Sequence, residues 1–454
     1  MSTVSALPER VLSTRDAVAL VVGIVIGAGI FKFPSLVAGM AGSQSMVYAL
    51  WLAGGLVSIV GALCYAELAT AFPNAGGDYH FLTRAFGRHL SFLFAWARAT
   101  VITTGSIALL AFVLGDYASN LLPLGEHSSA IWAALVVVAL TVLNWFGLRE
   151  GKATQNVLTV FEVSGLVAIV VAGLFVVEPV VTMVTVAPAA AAAAATPTGM
   201  PAASALGLAM VFVLLTYGGW NEAAYMSAEV KDRKRGILRA LVIGLLLVTA
   251  LYLLVNFAYL RGLGLEGVAG SKVVAADLLA RAWGPGSATL MSLMVIVASL
   301  TSINATMLVG ARSNYALGRD WKLFGWLGGW HASGVPRPAL LAQSAISLLL
   351  VGFGAATRKG FETMVDFTAP VFWFFFLLTG IALMVLRRTE AAAERPFRVP
   401  FYPLLPLLFC ASAAWLLYSS LAYTGVGALA GVGVLAAGGL VLVWSMRREK
   451  RVAA

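Results

Sequence analysis

Charge is scarce in this chain: Asp, Glu, Lys and Arg make up 11% of its 454 residues, while 60% are hydrophobic and the mean hydropathy is +0.92. A soluble protein carries roughly a quarter charged residues, so a water-soluble globule is excluded and a polytopic membrane protein is implied. Cysteine is scarce too. Cys64 and Cys410 lie far apart in apolar stretches, which offers neither a disulfide framework nor a metal site. The four histidines (His80, His89, His127 and His331) fall at loops or span ends without metal-ligand spacing. No depth of the membrane gathers the His, Asp and Ser that an embedded enzyme would need, and no symmetric pore or filter motif marks a channel. The first apolar stretch has no small-residue cleavage site after a short core, so no cleavable signal peptide is expected.

What is abundant is apolar sequence in lengths that cross a bilayer. Taking about 20 residues per crossing, the sequence predicts twelve membrane helices. The net charge of +10 is unevenly spread. With the N-terminus in the cytoplasm, the outer loops hold only Arg261, Lys272, Arg281, Arg358 and Lys359, and the inner loops and tails hold most of the rest. That asymmetry follows the positive-inside rule and places both termini in the cytoplasm. The basic balance is then a topology signal, with attraction to anionic lipid as a minor addition.

Two of the apolar segments are broken near their middle by glycine. The first carries Gly27-Ala28-Gly29 and the sixth Tyr217-Gly218-Gly219-Trp220-Asn221. A break at membrane depth frees backbone groups that lipid cannot satisfy, so it persists only inside protein or beside a cavity. Breaks in matching positions of two halves point to a transporter's binding site. The first ten predicted spans form two sets of five, each opening with a broken helix, and an odd number per set inverts the second. The expected organisation is a first five-helix repeat at 1–178, a low-complexity outer loop at 179–205, an inverted repeat at 206–390, and two peripheral helices with a cytoplasmic tail at 391–454.

The two breaks run in opposite directions, which gives them opposite polarity. Span one runs outward, so its outer half begins with the free N–H groups of Ala28, Gly29 and Ile30, a place for a carboxylate. Span six runs inward, so its outer half ends with the carbonyls of Thr216 and Tyr217, which suit an ammonium. A carboxylate site facing an ammonium site describes the α-carbon end of a free amino acid. The competing reading is that Gly23-x-x-x-Gly27 is a small-residue helix-packing motif.

The stretch VVGIVIGAGIFKFP (21–34) resembles the broken first helix of the amino acid–polyamine–organocation (APC) transporters, as do CYAELATAFPNAGGDYHFL (64–82), LTYGGWNEAAYMSAEVKD (215–232) and RPFRVPFYPLLPLLF (395–409). Tyr-Gly-Gly-Trp-Asn and Ser302-Ile303-Asn304 look most like the L-type amino acid transporter branch. The resemblance implies an all-α fold of the LeuT type, a 5+5 inverted repeat plus two helices, working by alternating access without cofactor or ATPase module. It assigns Ile26, Gly27, Ala28, Gly29 and Ile30 to the carboxylate loop, and Leu215, Thr216, Tyr217, Gly218 and Gly219 to the amine loop and its gate. On the same resemblance Asn221 matches a polar residue that positions substrate or couples the gate, and Ser302 is expected at the substrate site. There are two departures. The gate position, aromatic in many relatives, is Leu215. The loop after span three, which in animal L-type light chains carries a cysteine for a glycoprotein partner, reads LLPLGEHSS (121–129), so no disulfide-linked subunit is expected.

Ionisable residues at membrane depth are functional hypotheses by default. Glu162 lies roughly 15 Å along span five, where many relatives have a lysine, and is read as a proton-coupling site. The alternatives are an internal ion pair with Arg98, at similar depth in span three, and Na⁺ held by Glu162, the first break and Thr301 or Ser302. Lys32, just past the first break, either snorkels to the outer vestibule or adds positive charge to the site. Glu67, Glu222 and Glu229 are expected to pair with basic residues near the cytoplasmic side. A polyamine or organic-cation carrier, and an amino-acid sensor that binds without transporting, stay open as alternatives.

Overall fold

The computed structural model describes residues 13–74, 76–147, 152–180, 202–225, 236–331, 335–357, 359–422 and 425–453. Most of the low-complexity outer loop, the Lys231–Arg235 stretch, Glu229 and Arg149 lie outside these residues. Among the described residues there is helix and no strand.

The first crossing is in two pieces, α1 (Thr14–Val25) and α2 (Phe33–Ala41), joined through a 3₁₀ turn at Ala28–Phe31. Pro34 in the first turn of α2 restarts the helix where its missing N–H costs nothing. The chain reverses at Gly42, φ 70°, and Ser43 caps α3 (Gln44–Ala71) by accepting from the Met46 N–H at 3.2 Å. A short amphipathic helix, α4 (Asp78–Phe86), precedes the next crossing. That crossing comprises α5 (Arg88–Ala97), a π turn at Arg98–Ile102 and α6 (Thr103–Leu121). Then come α7 (Ser128–Trp145) and α8 (Lys152–Val171), the latter ending in a second π turn at Ala172–Val176.

The sixth segment is again divided, into α9 (Ala202–Thr216) and α10 (Trp220–Tyr225). Beyond it lie α11 (Gly236–Gly270), which turns at Gly264, and α12 (Val274–Trp283), a short helix the hydropathy did not predict. The last elements are α13 (Pro285–Asp320), α14 (Arg337–Thr357), α15 (Gly360–Thr389), α16 (Leu404–Ala422) and α17 (Val426–Ala453). Nine helices among the described residues are long and apolar enough to cross a membrane. The difference from twelve falls on the first, fifth and sixth segments, where breaks or short apolar stretches cut the uninterrupted length. Below, the face where α1 begins is the near face and the one where α2 ends is the far face.

Lipid gives helices no hydrophobic reason to associate, so close packing must do the work. Along α3 a stripe of glycines supplies it. A Cβ on Gly54 would lie 2.3 Å from Val213, one on Gly55 2.3 Å from the Thr249 hydroxyl, and one on Gly61 2.7 Å from Trp220 and Phe409. The stripe thus brings α3 against α9, α11, α10 and α16. Trp220 fills the near end of this seam among the rings of Tyr65, Phe376 and Phe409.

The near face is tied by charge. Glu67 is fully buried and accepts from Arg387 Nε at 2.7 Å, Arg387 Nη2 at 2.5 Å and the Val399 N–H at 2.6 Å, with Arg395 Nε at 3.5 Å. A buried carboxylate with three good donors is satisfied, and it anchors the segment after α15 to α3. Farther out, Arg84 of α4 grips Glu390 through both of its oxygens. That hydrogen bonding holds the Glu390 carboxyl below the usual carboxylate range.

Candidate functional site

At the first break Gly27 is extended (φ −128°, ψ −175°), so the N–H groups that open the following turn have no preceding carbonyls to bond. At the second break the Gly218 N–H donates to Leu215 O at 3.1 Å and Gly219 adopts φ +103°, a conformation that needs glycine. Gly219 is also where the breaks meet: a Cβ there would lie 3.0 Å from the Ile24 carbonyl oxygen and 2.9 Å from Ile24 Cγ2.

Tyr252 of α11 joins the ends of both helices. Its buried hydroxyl lies 2.9 Å from Val25 O, at the end of α1, and 3.3 Å from Thr216 O, at the end of α9. Its ring and that of Tyr217 lie 5.1 Å apart at 61°, and Trp51 closes the group at 5.6 Å from Tyr252 and 6.0 Å from Tyr217.

Both breaks open onto one cavity of about 480 Å³. Gly23 through Gly29 and Phe33 form one wall; Leu215, Thr216, Gly218, Gly219, Asn221 and Glu222 form the facing one. α6 contributes Thr103, Ser106, Leu109 and Leu110, α13 contributes Thr301, Ser302, Ala305, Thr306 and Val309, and α15 contributes Thr368 and Phe372. Arg98 and Ile102 reach the cavity from the π turn, where the widened backbone turns side chains inward. Several hydroxyls here are committed to their own helices: Ser106 bonds Ile102 O, Thr306 bonds Ser302 O and Thr368 bonds Met364 O, at 2.8, 2.8 and 2.9 Å.

The cavity decides one question the sequence left open. A Cβ on Gly23 would meet nothing within 4 Å, and one on Gly27 only the Ser302 hydroxyl at 4.0 Å. These glycines face open space, not a packed helix.

Ten of the twelve residues expected to bind substrate line the cavity: Ile26, Gly27, Ala28, Gly29, Leu215, Thr216, Gly218, Gly219, Asn221 and Ser302. Ile30 and Tyr217 do not. Both are fully buried, and the Tyr217 phenol donates to Trp51 O at 2.9 Å, so these large side chains fill the space behind the breaks. The Thr216 carbonyl, expected to be unpaired, has the Tyr252 hydroxyl beside it.

Among the ionisable residues Glu67 and Glu222 pair with arginines as expected, while other expectations are not met. Arg98 does not pair with Glu162; its Nη2 lies 3.0 Å from Glu222 Oε1 and 3.2 Å from Oε2. Glu162 instead meets the Thr301 hydroxyl at 2.7 Å, and that hydroxyl is also 2.8 Å from Ala298 O. Lys32 neither snorkels nor lines the cavity. It is 6% exposed, with Nζ 2.6 Å from Asp116 Oδ2 and 3.3 Å from Lys272 O. Three residues escaped the sequence reading: Tyr252, Asp116 and Phe33. Asp116 carried a signal, as a lone acid within span three and hence a candidate partner for Lys32.

Comparison with known proteins agrees with this architecture. A family model described as amino acid permease matches residues 12–446. The b(0,+)-type amino acid transporter 1 of Mus musculus is 28% identical over 407 residues, covering 88% of this chain and 81% of its own. The serine/threonine exchanger SteT of Bacillus subtilis is 27% identical over 413 residues, 89% of this chain and 90% of its own. The large neutral amino acids transporter small subunit 2 of Mus musculus is 27% identical over 417 residues, 89% of this chain and 75% of its own. With two helix breaks meeting over one cavity and a family match running through nearly all its length, the chain belongs to the amino acid permease family, within the APC superfamily of membrane transporters.

Proposed function

We propose that this permease is a secondary active carrier of free L-amino acids that works by alternating access. The substrate carboxylate lies on the N–H groups of residues 27 to 30, and the amine lies toward the carbonyls at the end of α9. The observation that carries this reading is the single cavity reaching both breaks, whose volume of about 480 Å³ suits a small ligand. Glycine at both breaks lets the ligand approach the backbone closely. The chain is a transporter, not an enzyme, as its family implies.

Orientation and organisation extend the same reading. The positive-inside asymmetry puts the near face in the cytoplasm of a cell that carries the protein in its cell membrane. On this reading the two broken segments and the fifth join the nine long helices as crossings, twelve in all, with 1–178 and 206–390 as inverted repeats and 391–454 peripheral. The relative named as a small subunit has a partner in its name. This chain has only Cys64 and Cys410, both buried, and works without a disulfide-linked glycoprotein.

Glu162 is the coupling residue. The Thr301 hydroxyl has one proton and two acceptors in range, Ala298 O and Glu162. If it keeps its bond to Ala298, the 2.7 Å contact to Glu162 needs a proton on the carboxyl. Loading and losing that proton would couple the site to a pH gradient. The test is uptake into proteoliposomes with a panel of amino acids, with and without a proton gradient. Wild type is expected to accumulate substrate with the gradient. Glu162→Gln is expected to lose that accumulation by about tenfold or more while keeping exchange of internal for external substrate. Binding without flux would make the protein a sensor; undiminished gradient-driven uptake by Glu162→Gln would remove the coupling role.

A further inference from the structure

The gate expected at Leu215 lacks an aromatic ring, yet the far side of the cavity is closed by one. Phe33, the first residue of α2, lines the cavity and is 3% exposed. Its ring lies over the first break: a Cβ on Gly29 would sit 3.1 and 3.2 Å from Phe33 Cδ2 and Cε2. On its other sides are Phe212, centroid 5.7 Å away on α9, and Phe361, 5.0 Å away at the far end of α15. Three rings from three helices thus separate the substrate cavity from the far face.

The residue before Phe33 fixes this arrangement. Lys32 is held by Asp116 of α6, whose other oxygen accepts from Ser129 of α7 at 2.7 Å, and Lys32 Nζ lies 5.7 Å from the centre of the Phe361 ring. Tyr117, next to Asp116, donates to Phe31 O at 2.8 Å. So α2 is docked on α6 by residues 31 and 32, and residue 33 is placed as the roof.

We propose that Phe33 is the far-side gate of the cavity and that the Lys32–Asp116 pair latches it shut. Opening the far side moves α2 from α6, swings the ring off the break, and exposes both latch charges to water together. Neither charge is left buried alone, which is the costly outcome for an ion pair. The proposal rests on the alternating-access reading, but its test does not require the substrate to be known.

The test is the accessibility of one reporter cysteine, Ser106→Cys, in the cavity wall, in a chain whose own cysteines are buried. A membrane-impermeant thiol reagent is applied to whole cells and to inside-out vesicles. With Phe33 present, labelling from the far face is slow. Phe33→Ala and Lys32→Gln are each expected to speed far-face labelling by roughly fivefold or more, Phe33→Trp to slow it, and the exchanged pair Lys32→Asp with Asp116→Lys to return it toward the parent rate. Near-face labelling of the same variants shows that they are folded. An unchanged far-face rate in Phe33→Ala with near-face labelling intact overturns the proposal. If far-face labelling rises in a protein that transports no amino acid, the gate stands and the substrate assignment falls.

Discussion

Among the described residues an ion pair stands on each side of the cavity, Lys32–Asp116 and Arg98–Glu222, and the two differ in kind. On the far side the Lys32 and Asp116 side chains are 8% and 19% exposed; on the near side those of Arg98 and Glu222 are 15% and 37% exposed. The far pair lies behind a roof of three rings and takes a backbone carbonyl and a serine hydroxyl as further partners. The near pair borders the cavity itself. A drier closure on one side and a wetter one on the other describe a carrier shut to the far face and poised toward the near one. Charge in a membrane protein therefore does two jobs here, holding in one place and yielding in the other.

The contrast can be broken at its strong end first. Asp116→Asn leaves Lys32 charged and buried without a counter-ion. Removing one partner of such a pair costs about 3–5 kcal/mol. The expected result, read by thermal unfolding in detergent, is a large fall in Tm that the paired neutral change Lys32→Met with Asp116→Leu largely restores. If the single and double changes lose the same stability, the far pair is not a buried one. At the weak end, Glu222→Gln should cost about 1 kcal/mol or less because Glu222 is 37% exposed and Arg98 borders the cavity. Its effect is expected in kinetics, as faster near-face labelling of a cavity cysteine with little change in Tm.

The smallest effect belongs to Arg84 and Glu390, outside the membrane-spanning part. Arg84 lowers the folded-state pKa of Glu390, so the pair's stability is present above the ordinary glutamate pKa and is lost as pH falls through the lowered one. Arg84 is 39% exposed in its side chain, so the contribution is about 1 kcal/mol at most and weakens with salt. A Tm series from neutral to acid pH, with and without Arg84→Ala, should converge at the acid end.

Composition and glycine carried the large features of this molecule because both act locally. Apolar length forces helices, and a glycine break lets backbone face a cavity inside a membrane, so the two breaks that line one cavity were legible at Gly27 and Gly219. Side-chain partners were not legible where they join distant spans. Lys32 meets a residue 84 positions away and Arg98 one 124 away, and nothing in either local sequence names the partner. Tyr252 reads as one more aromatic in an apolar helix until α11 is placed against both breaks. Ile30 and Tyr217 are expected at the site for their backbone N–H and carbonyl groups and by resemblance, which says nothing of where their side chains go. A large side chain beside a break turns inward, into the volume that the interrupted helix leaves.

The hydroxyl of Tyr252 carries a single proton, and two helix-terminal carbonyls stand within its reach. Two acceptors cannot share one donor at full strength, so one of these carbonyls keeps a lone pair for a further donor. An ammonium brings three. On the proposed placement of the amine, a bound substrate would hold both helix ends at once, a rivet between halves that otherwise take turns.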